Sequence, residues 1–443
     1  MSRKQDERAA TLRATLTLPA LAVYAIGDIL GAGIYALVGK VAGLCGPALW
    51  VAFAVSAVVA LLTGLAYAEL ASRYPRSAGA ALYCRQGFRH PLPAFVVGVF
   101  VLLSGLTSGA TVSRALVGYV HQFVAAPEIA VSLAFLIAMS FLNFWGIEES
   151  SRVNMVLTAV EVTGLLLVIV AGVVAARALP GDEILVRLAP EPAHLRGVLP
   201  ATTIAFFAFI GFEDVANVAE EARDPRRSLP RAIVIAIVFT TMVYVAVGIA
   251  ALVAVPVATL AGSPAPLAAV VEASGIRIPA RLFAFIAIIA IANTGLLNLI
   301  MAARLSYGMA REGLLPAILG EVHAVRRTPS VAVAVVFALA ALLSLTGSVQ
   351  VLAQSTSVLL VIVFFLVHVS LFLVKRREPL APGEGFSVPA FVPVAGAASC
   401  LWLLAQYPTE VYARAAMAAI AALALYVVAG RLAERAGAPR RGR

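Results

Sequence analysis

Long apolar runs separated by short polar or charged segments make up most of this chain. A run of roughly 17–25 apolar residues crosses a bilayer as a helix at about 1.5 Å per residue. Twelve runs of this kind are predicted, over residues 18–44, 48–70, 94–122, 128–146, 153–177, 197–221, 231–255, 280–308, 330–346, 349–374, 389–406 and 410–431. No segment alternates with the period of two that a β-barrel strand needs. The pattern therefore predicts an all-α integral membrane protein. Two polar, Pro-containing segments divide it: 179–196 and 375–388. The expected organisation is a tail at 1–17, a first block at 18–178, a loop at 179–196 and a second block at 197–374. A linker at 375–388, a last helix pair at 389–431 and a basic tail at 432–443 follow. Residues 71–93 are only moderately apolar and are read as a partly helical loop.

Composition agrees with this pattern. Hydrophobic residues are 62% of the chain and charged ones 13%, with a mean hydropathy of +0.97. Soluble domains average about 45–50% apolar and about 25% charged residues, so a cytosolic enzyme, a disordered chain and a secreted disulfide scaffold are excluded. The net charge of +10 has a membrane explanation. With the N-terminus in the cytoplasm, 25 of the 33 Lys and Arg fall on the inner side, six fall outside, and Lys40 and Arg114 lie within spans. This bias predicts an even number of spans with both termini cytoplasmic, in the inner membrane of the cell. No basic stripe with interleaved aromatics points to nucleic acid. Cys45, Cys84 and Cys400 have no metal or redox spacing. The first 17 residues are polar and basic, and the run after them does not have the form of a signal peptide.

Interruptions of the apolar pattern mark candidate chemistry. In helix 1, Gly27-Asp28-Ile29-Leu30-Gly31-Ala32-Gly33-Ile34 holds three glycines in seven residues. Each costs about 1 kcal/mol of helix stability relative to Ala. Unwinding there would expose amides suited to a carboxylate and carbonyls suited to an ammonium. Gly27 and Gly31 also have the spacing of a packed helix pair, and helix 1 alone does not choose between these readings. In helix 6, Phe209-Ile210-Gly211-Phe212-Glu213-Asp214 interrupts a second run. Glu213 and Asp214 are candidate caps of a second half-helix. Helices 1 and 6 run in opposite directions, and each opens a block of five helices. Matched breaks in inverted halves are the sequence sign of an inverted-repeat transporter with a midplane site.

Other polar residues within spans are weighed singly. Asp28 and Glu161 both lie about 15 Å from the inner ends of their helices. A bare acid at that depth is costly unless paired, protonated or hydrated, so the two are candidate proton-coupling residues, with water-facing or backbone-bonded roles as the alternative. Asn293, Thr294 and Asn298 interrupt helix 8, and Ser104, Thr107, Ser108 and Thr111 line one face of helix 3. Thr107, Asn293 and Thr294 are substrate-path candidates, and helix glue is the competing use. Glu69 is expected at the cytoplasmic end of helix 2. Arg114 is read as an anchor near the outer end of helix 3. His368 is read as a packed imidazole.

At these residues the chain resembles the amino acid–polyamine–organocation superfamily, and within it the bacterial amino acid permeases. The resemblance rests on Gly31-Ala32-Gly33-Ile34; on Glu69 through Pro75-Arg76-Ser77-Ala78-Gly79; on Phe206 to Pro230; and on Asn293 to Pro316. It implies the LeuT-type fold of five plus five inverted helices with broken helices 1 and 6 and two extra C-terminal helices, working by alternating access. It also implies a substrate carboxylate at the amides of Gly31, Ala32 and Gly33, beside Ile34. The ammonium would meet carbonyls around Ile26, Phe207, Ala208 and Ile210, next to Gly211. Proton-coupled relatives often carry a lysine seven residues after an asparagine in helix 5; counting from Asn154 gives Glu161 here.

The expected function is a secondary active transporter of amino acids or related amines, with H+ as the candidate coupling ion. An exchanger without net ion coupling, a sodium-coupled carrier and a solute-sensing receptor on the same fold fit the sequence as well. No catalytic residue, cofactor or bound metal is expected. No HExxH, GxSxG or phosphate-binding loop is present. The partners expected are a small amino acid or amine and the lipid bilayer.

Overall fold

The first apolar run folds as two helices, α1 (Leu18–Ile29) and α2 (Ala32–Cys45). The structure, a computed structural model, describes residues 16–423 apart from 77–78, 146–150, 312–314, 324–325, 327, 381–384, 418 and 421–422. The expected tail at 432–443, most of the tail at 1–17, the end of the last span, Ser77, Ala78 and Glu312 to Leu314 lie outside the described residues. After α2, Gly46 at φ +54 followed by Pro47 turns the chain into α3 (Leu49–Arg73). Residues Ala32–Arg73 form one apolar stretch of 42 residues. At about 63 Å it is twice the hydrocarbon thickness, which is why the turn at Gly46 matters.

The loop expected at 71–93 contains α4 (Gly79–Phe88), followed by α5 (Pro91–Val120), α6 (Glu128–Trp145) and α7 (Ser151–Arg177). The polar segment at 179–196 contains a short helix, α8 (Gly181–Leu188), and the start of α9 (Pro192–Ala205). The chain then passes through 3-10 segments at Phe206–Phe209 and Phe212–Glu221. After these come α10 (Pro225–Ala254), the short α11 (Val257–Gly262) and α12 (Pro266–Ala273), and α13 (Ala280–Arg311). The remaining helices are α14 (Ser330–Ser344), α15 (Val349–Arg377) and α16 (Phe391–Leu404).

Every regular element among the described residues is helical. Eight helices there are long and apolar enough to cross a membrane, or nine if Phe391–Leu404 and Thr409–Met417, bent by 113°, count as one span. The helices α1 and α14 are apolar but shorter. Exposed Val156, Val170, Leu282, Phe285, Leu342 and Met417 suit lipid contact.

Two packings position the site. The helix α5 buries more of itself than any other described span and lies against α13 and α15. Its Ser104, Thr107, Ser108 and Thr111 are all buried, so the polar stripe faces the bundle. Tyr67 of α3 holds edge-on contacts with Tyr83, Phe212 and Phe364 at 5.7–5.9 Å between centroids. That knot fixes the segment after the helix-6 break against α3, α4 and α15.

Glu69, expected to end helix 2 at the cytoplasmic surface, is fully buried. Its carboxylate accepts from Arg73 at 2.6 Å, from Lys375 of α15 at 2.8 Å and from the Val388 amide at 2.8 Å. A buried carboxylate needs such partners, and this one ties α3, α15 and the 375–388 segment together. His368 is buried, with Nε2 3.2 Å from the Thr63 hydroxyl. Arg114 pairs with Glu128 of α6 at 3.1 Å.

Candidate binding site at two helix breaks

The first break lies between α1 and α2. Leu30 donates its amide to the Ile26 carbonyl at 2.8 Å, closing the end of α1. A helix cannot pair its first four N–H groups internally; in α2 these belong to Gly31, Ala32, Gly33 and Ile34. The Ala32 amide donates to Thr294 Oγ1 of α13 at 2.9 Å. Gly31 packs on the Thr294 side chain and Gly33 on the backbone of Ala208, so closely that a methyl group at either would collide.

The second break follows the 3-10 turn Phe206–Phe209. Ile210 is extended, and Gly211 has φ +128, a conformation that L side chains rarely adopt. The Gly211 amide donates to Glu213 Oε2 at 2.9 Å, so Glu213 caps the segment that follows. That segment, Phe212–Glu221, is 3-10 rather than the α-helix that its apolar pattern predicts, and Val218 inside it is non-helical.

The two breaks touch. A Cβ at Gly211 would stand 2.8 Å from the Asp28 carbonyl oxygen. Further out, Arg223 donates its amide to the Leu16 carbonyl at 3.0 Å, joining the segment before α1 to the one after the helix-6 break.

A cavity opens between the breaks and α5, α13 and α15. Its volume is about 530 Å³ with the open space at its mouth included, and its interior is narrow. From the breaks it is lined by Asp28, Gly31, Ala32, Gly33, Phe207, Ala208, Ile210, Gly211, Glu213 and Asp214, and from α13 by Thr294. No Lys, Arg or His is among its lining residues. Amides at the start of α2, carbonyls at the ends of the broken segments and an acid-rich wall together suit a zwitterion or an amine.

The other expected residues lie elsewhere. Ile26, Ile34, Thr107, Asn293 and Glu161 do not line this cavity. The Ile26 carbonyl already serves Leu30, and Ile34 is buried within α2. Thr107 accepts from Thr356 at 2.8 Å and donates to its own helix. Asn293 donates to Glu161 Oε1 at 3.1 Å. Glu161 is fully buried, and its backbone carbonyl accepts from the Tyr35 hydroxyl at 2.9 Å. Its Oε2, like Thr158 Oγ1 one turn earlier on α7, is buried with no hydrogen-bond partner among the described residues. Asp28 and Glu161, similar in depth, are thus set in different surroundings: Asp28 lines the cavity, while Glu161 sits with Asn293 and Tyr35.

Ile29, Val101, Met301, Thr356 and Leu360 line the cavity and were not expected from sequence. The apolar ones carry no signal inside apolar helices. Ser104, Ser108 and Asn298, recognised as polar positions, line it as well. No group of three or more His, Cys, Asp or Glu suited to a metal ion occurs among the described residues.

Comparison with known proteins bears on what binds here. The family model described as amino acid permease matches residues 16–429. The branched-chain amino acid permease BcaP of Bacillus subtilis (strain 168) is 28% identical over 407 residues, covering 87% of this chain and 86% of that protein. Cationic amino acid transporter 4 of Mus musculus is 30% identical over 396 residues, covering 84% of this chain but 62% of that protein, less than two thirds of its length. An uncharacterized transporter of Mycobacterium tuberculosis (strain ATCC 25618 / H37Rv) is 31% identical over 341 residues, covering 76% of this chain and 75% of that protein.

Proposed function

This chain belongs to the amino acid permease family, and from that premise we propose that it is a secondary active transporter moving an amino acid or related amine by alternating access. The observation that carries the proposal is the contact between two helix breaks, Gly33 against Ala208 and Gly211 against Asp28, over a single narrow cavity. Packed helices have no need of such breaks, and the backbone groups they free are the complement of a zwitterion. In this reading the substrate carboxylate takes the amides of Gly31 and Gly33, while Thr294 holds the amide between them. The ammonium takes carbonyls of the broken segments. The architecture is the twelve-span, five-plus-five inverted repeat, with the half-helices α1 and Phe212–Glu221 shifting together to open either side.

Glu161 is proposed as the coupling residue. A buried carboxylate with one oxygen bonded to Asn293 and the other unpartnered is poorly compensated as an anion, so a proton completes it. Exchange of its proton with water from one side at a time would couple a pH gradient to transport.

Purified protein in liposomes tests the reading. Counterflow of radiolabelled L-leucine and L-arginine covers the two classes that the relatives' names give, branched-chain and cationic amino acids. Exchange of either supports a transporter. Saturable binding without exchange would make the protein a receptor, and neither binding nor exchange over an amino acid and polyamine panel would reject the proposal.

A further inference from the structure

The first turn of α2 is bonded to three other helices. The Ala32 amide donates to Thr294 of α13. Three residues on, the Tyr35 hydroxyl donates to the Glu161 carbonyl of α7 at 2.9 Å, and the Tyr35 carbonyl accepts from the Tyr119 hydroxyl of α5 at 2.8 Å. Tyr35 and Tyr119 are fully buried. Gly164, one turn after Glu161 on α7, leaves a slot that the Tyr35 hydroxyl fills, so closely that a methyl group at Gly164 would collide with it. The Tyr35 ring stands 6.4 Å from that of Phe283 of α13 between centroids. Across the break, α1 meets α7 differently: Gly27 packs on the side chain of Thr158, whose hydroxyl has no hydrogen-bond partner among the described residues.

Amides at a helix start hold an anion well only if they point at it together. The amides of Gly31 and Gly33 belong to the start of α2 and turn with it. Tyr35 follows them by four and two residues, about 3–6 Å along the helix axis, so its tether acts close to them. Thr294 and Tyr35 fix two points of the same turn, one against α13 and the other against α7. A single point would let α2 roll about its axis and carry the amides away from a bound carboxylate; the second point sets the roll before the ligand arrives, which is preorganisation. Tyr35 and Gly164 do not line the cavity, so they act through α2 and not by touching the ligand.

We propose that Tyr35 is a positioning residue for the substrate's carboxylate, setting the roll of α2 against α7 through its hydroxyl in the Gly164 slot. This rests on the transporter reading, in which the amides of Gly31 and Gly33 take the carboxylate. It adds a pair of residues outside the cavity and gives them a role specific to the acid end of the ligand.

Tyr35→Phe keeps the ring and removes the tether. In proteoliposomes its KM for the amino acid that the parent transports is expected to rise about fivefold, the size of one neutral hydrogen bond, with Vmax within about twofold. The matching α-hydroxy acid, which keeps the carboxylate and side chain, should weaken as an inhibitor by the same factor. The matching decarboxylated amine should inhibit parent and variant alike. Gly164→Ala puts a methyl group in the slot and should shift the acid-to-amine ratio in the same direction. Added to Tyr35→Phe it should cost less than it does in the parent, because the methyl group takes the space of the missing oxygen; this coupling reports the slot, and the ratio reports its role. An unchanged KM in Tyr35→Phe, an equal weakening of acid and amine, or additive effects of the two changes overturns the assignment. If Tyr35→Phe does not fold, the acid-to-amine ratio in Gly164→Ala decides the matter. A parent that takes up no amino acid removes the transporter reading, and this inference with it. A transporting parent whose variants keep the ratio overturns the inference alone.

Discussion

Replacing Gly211 with alanine tests whether the helix-6 break is needed. Two costs follow from its geometry. The residue has φ +128, and holding an L side chain in such a region costs about 1–3 kcal/mol. The new Cβ would also stand 2.8 Å from the Asp28 oxygen, 2.9 Å from the Asp28 carbonyl carbon and 3.2 Å from the Ile29 nitrogen. All three are backbone atoms, which cannot rotate away as a side-chain tip would. Overpacking of this kind costs about 1–3 kcal/mol, so the sum is about 2–6 kcal/mol against a total stability of about 5–15 kcal/mol. The chain can lower the cost only by moving the end of α1 away from the second break, which displaces the groups proposed to hold the substrate. Gly248→Ala is the control. It lies in α10 with an ordinary helical backbone, and its Cβ would meet Leu49 Cγ at 3.6 Å, a normal contact. Alanine there should be neutral or stabilising by about 0.5–1 kcal/mol. The assay is uptake in proteoliposomes beside a thermal melt in detergent. Gly211→Ala should lower uptake at least tenfold and lower the melting temperature, while Gly248→Ala does neither. Parental uptake and melting in the Gly211 variant would refute the argument that this position needs glycine and that the two breaks must touch.

Other variants address the remaining contacts. Glu161→Gln keeps an acceptor for Asn293 and removes the charge; counterflow exchange should persist while accumulation under an inward proton gradient is lost, and parental accumulation would make Glu161 structural. Thr294→Val strands the Ala32 amide, at a cost of about 1–3 kcal/mol for an unpaired buried donor. The melting temperature should fall, and Thr294→Ser should restore it; no change in the Val variant would say that the amide finds another partner. Glu69→Gln leaves Arg73 and Lys375, whose side chains are 6% and 17% exposed, without their counter-ion. Breaking such a pair costs about 3–5 kcal/mol, which a thermal melt would register as a large drop, and an unchanged melt would show that the cluster contributes little.

The membrane setting was legible in the order of residues because it is a property of composition and run length. Burying helices in lipid requires about twenty apolar residues in succession, and no distant part of the chain alters that requirement. The two breaks were legible for a similar reason. Glycines at 27, 31 and 33, and Gly211 before Glu213 and Asp214, weaken a helix locally, and they stand where the chain does break. The family resemblance read from four motifs agrees with the match over residues 16–429. Tertiary structure alone decided which groups meet. Thr294 reaches the Ala32 amide across 262 residues of sequence, Asn293 reaches Glu161 across 132, and Tyr244 reaches Ile29 across 215. Equal depth along α1 and α7 gave Asp28 and Glu161 the same candidate role, whereas Asp28 lines the cavity and Glu161 bonds Asn293; depth does not specify the direction in which a side chain leaves its helix. Glu69 looked like a surface acid because it ends an apolar run; it is buried because Lys375, 306 residues later, folds back over it. Hydropathy and glycine content act over a few turns of helix, whereas hydrogen bonds and ion pairs between spans depend on how helices rotate and pack against one another, and single-chain spacing does not contain that information.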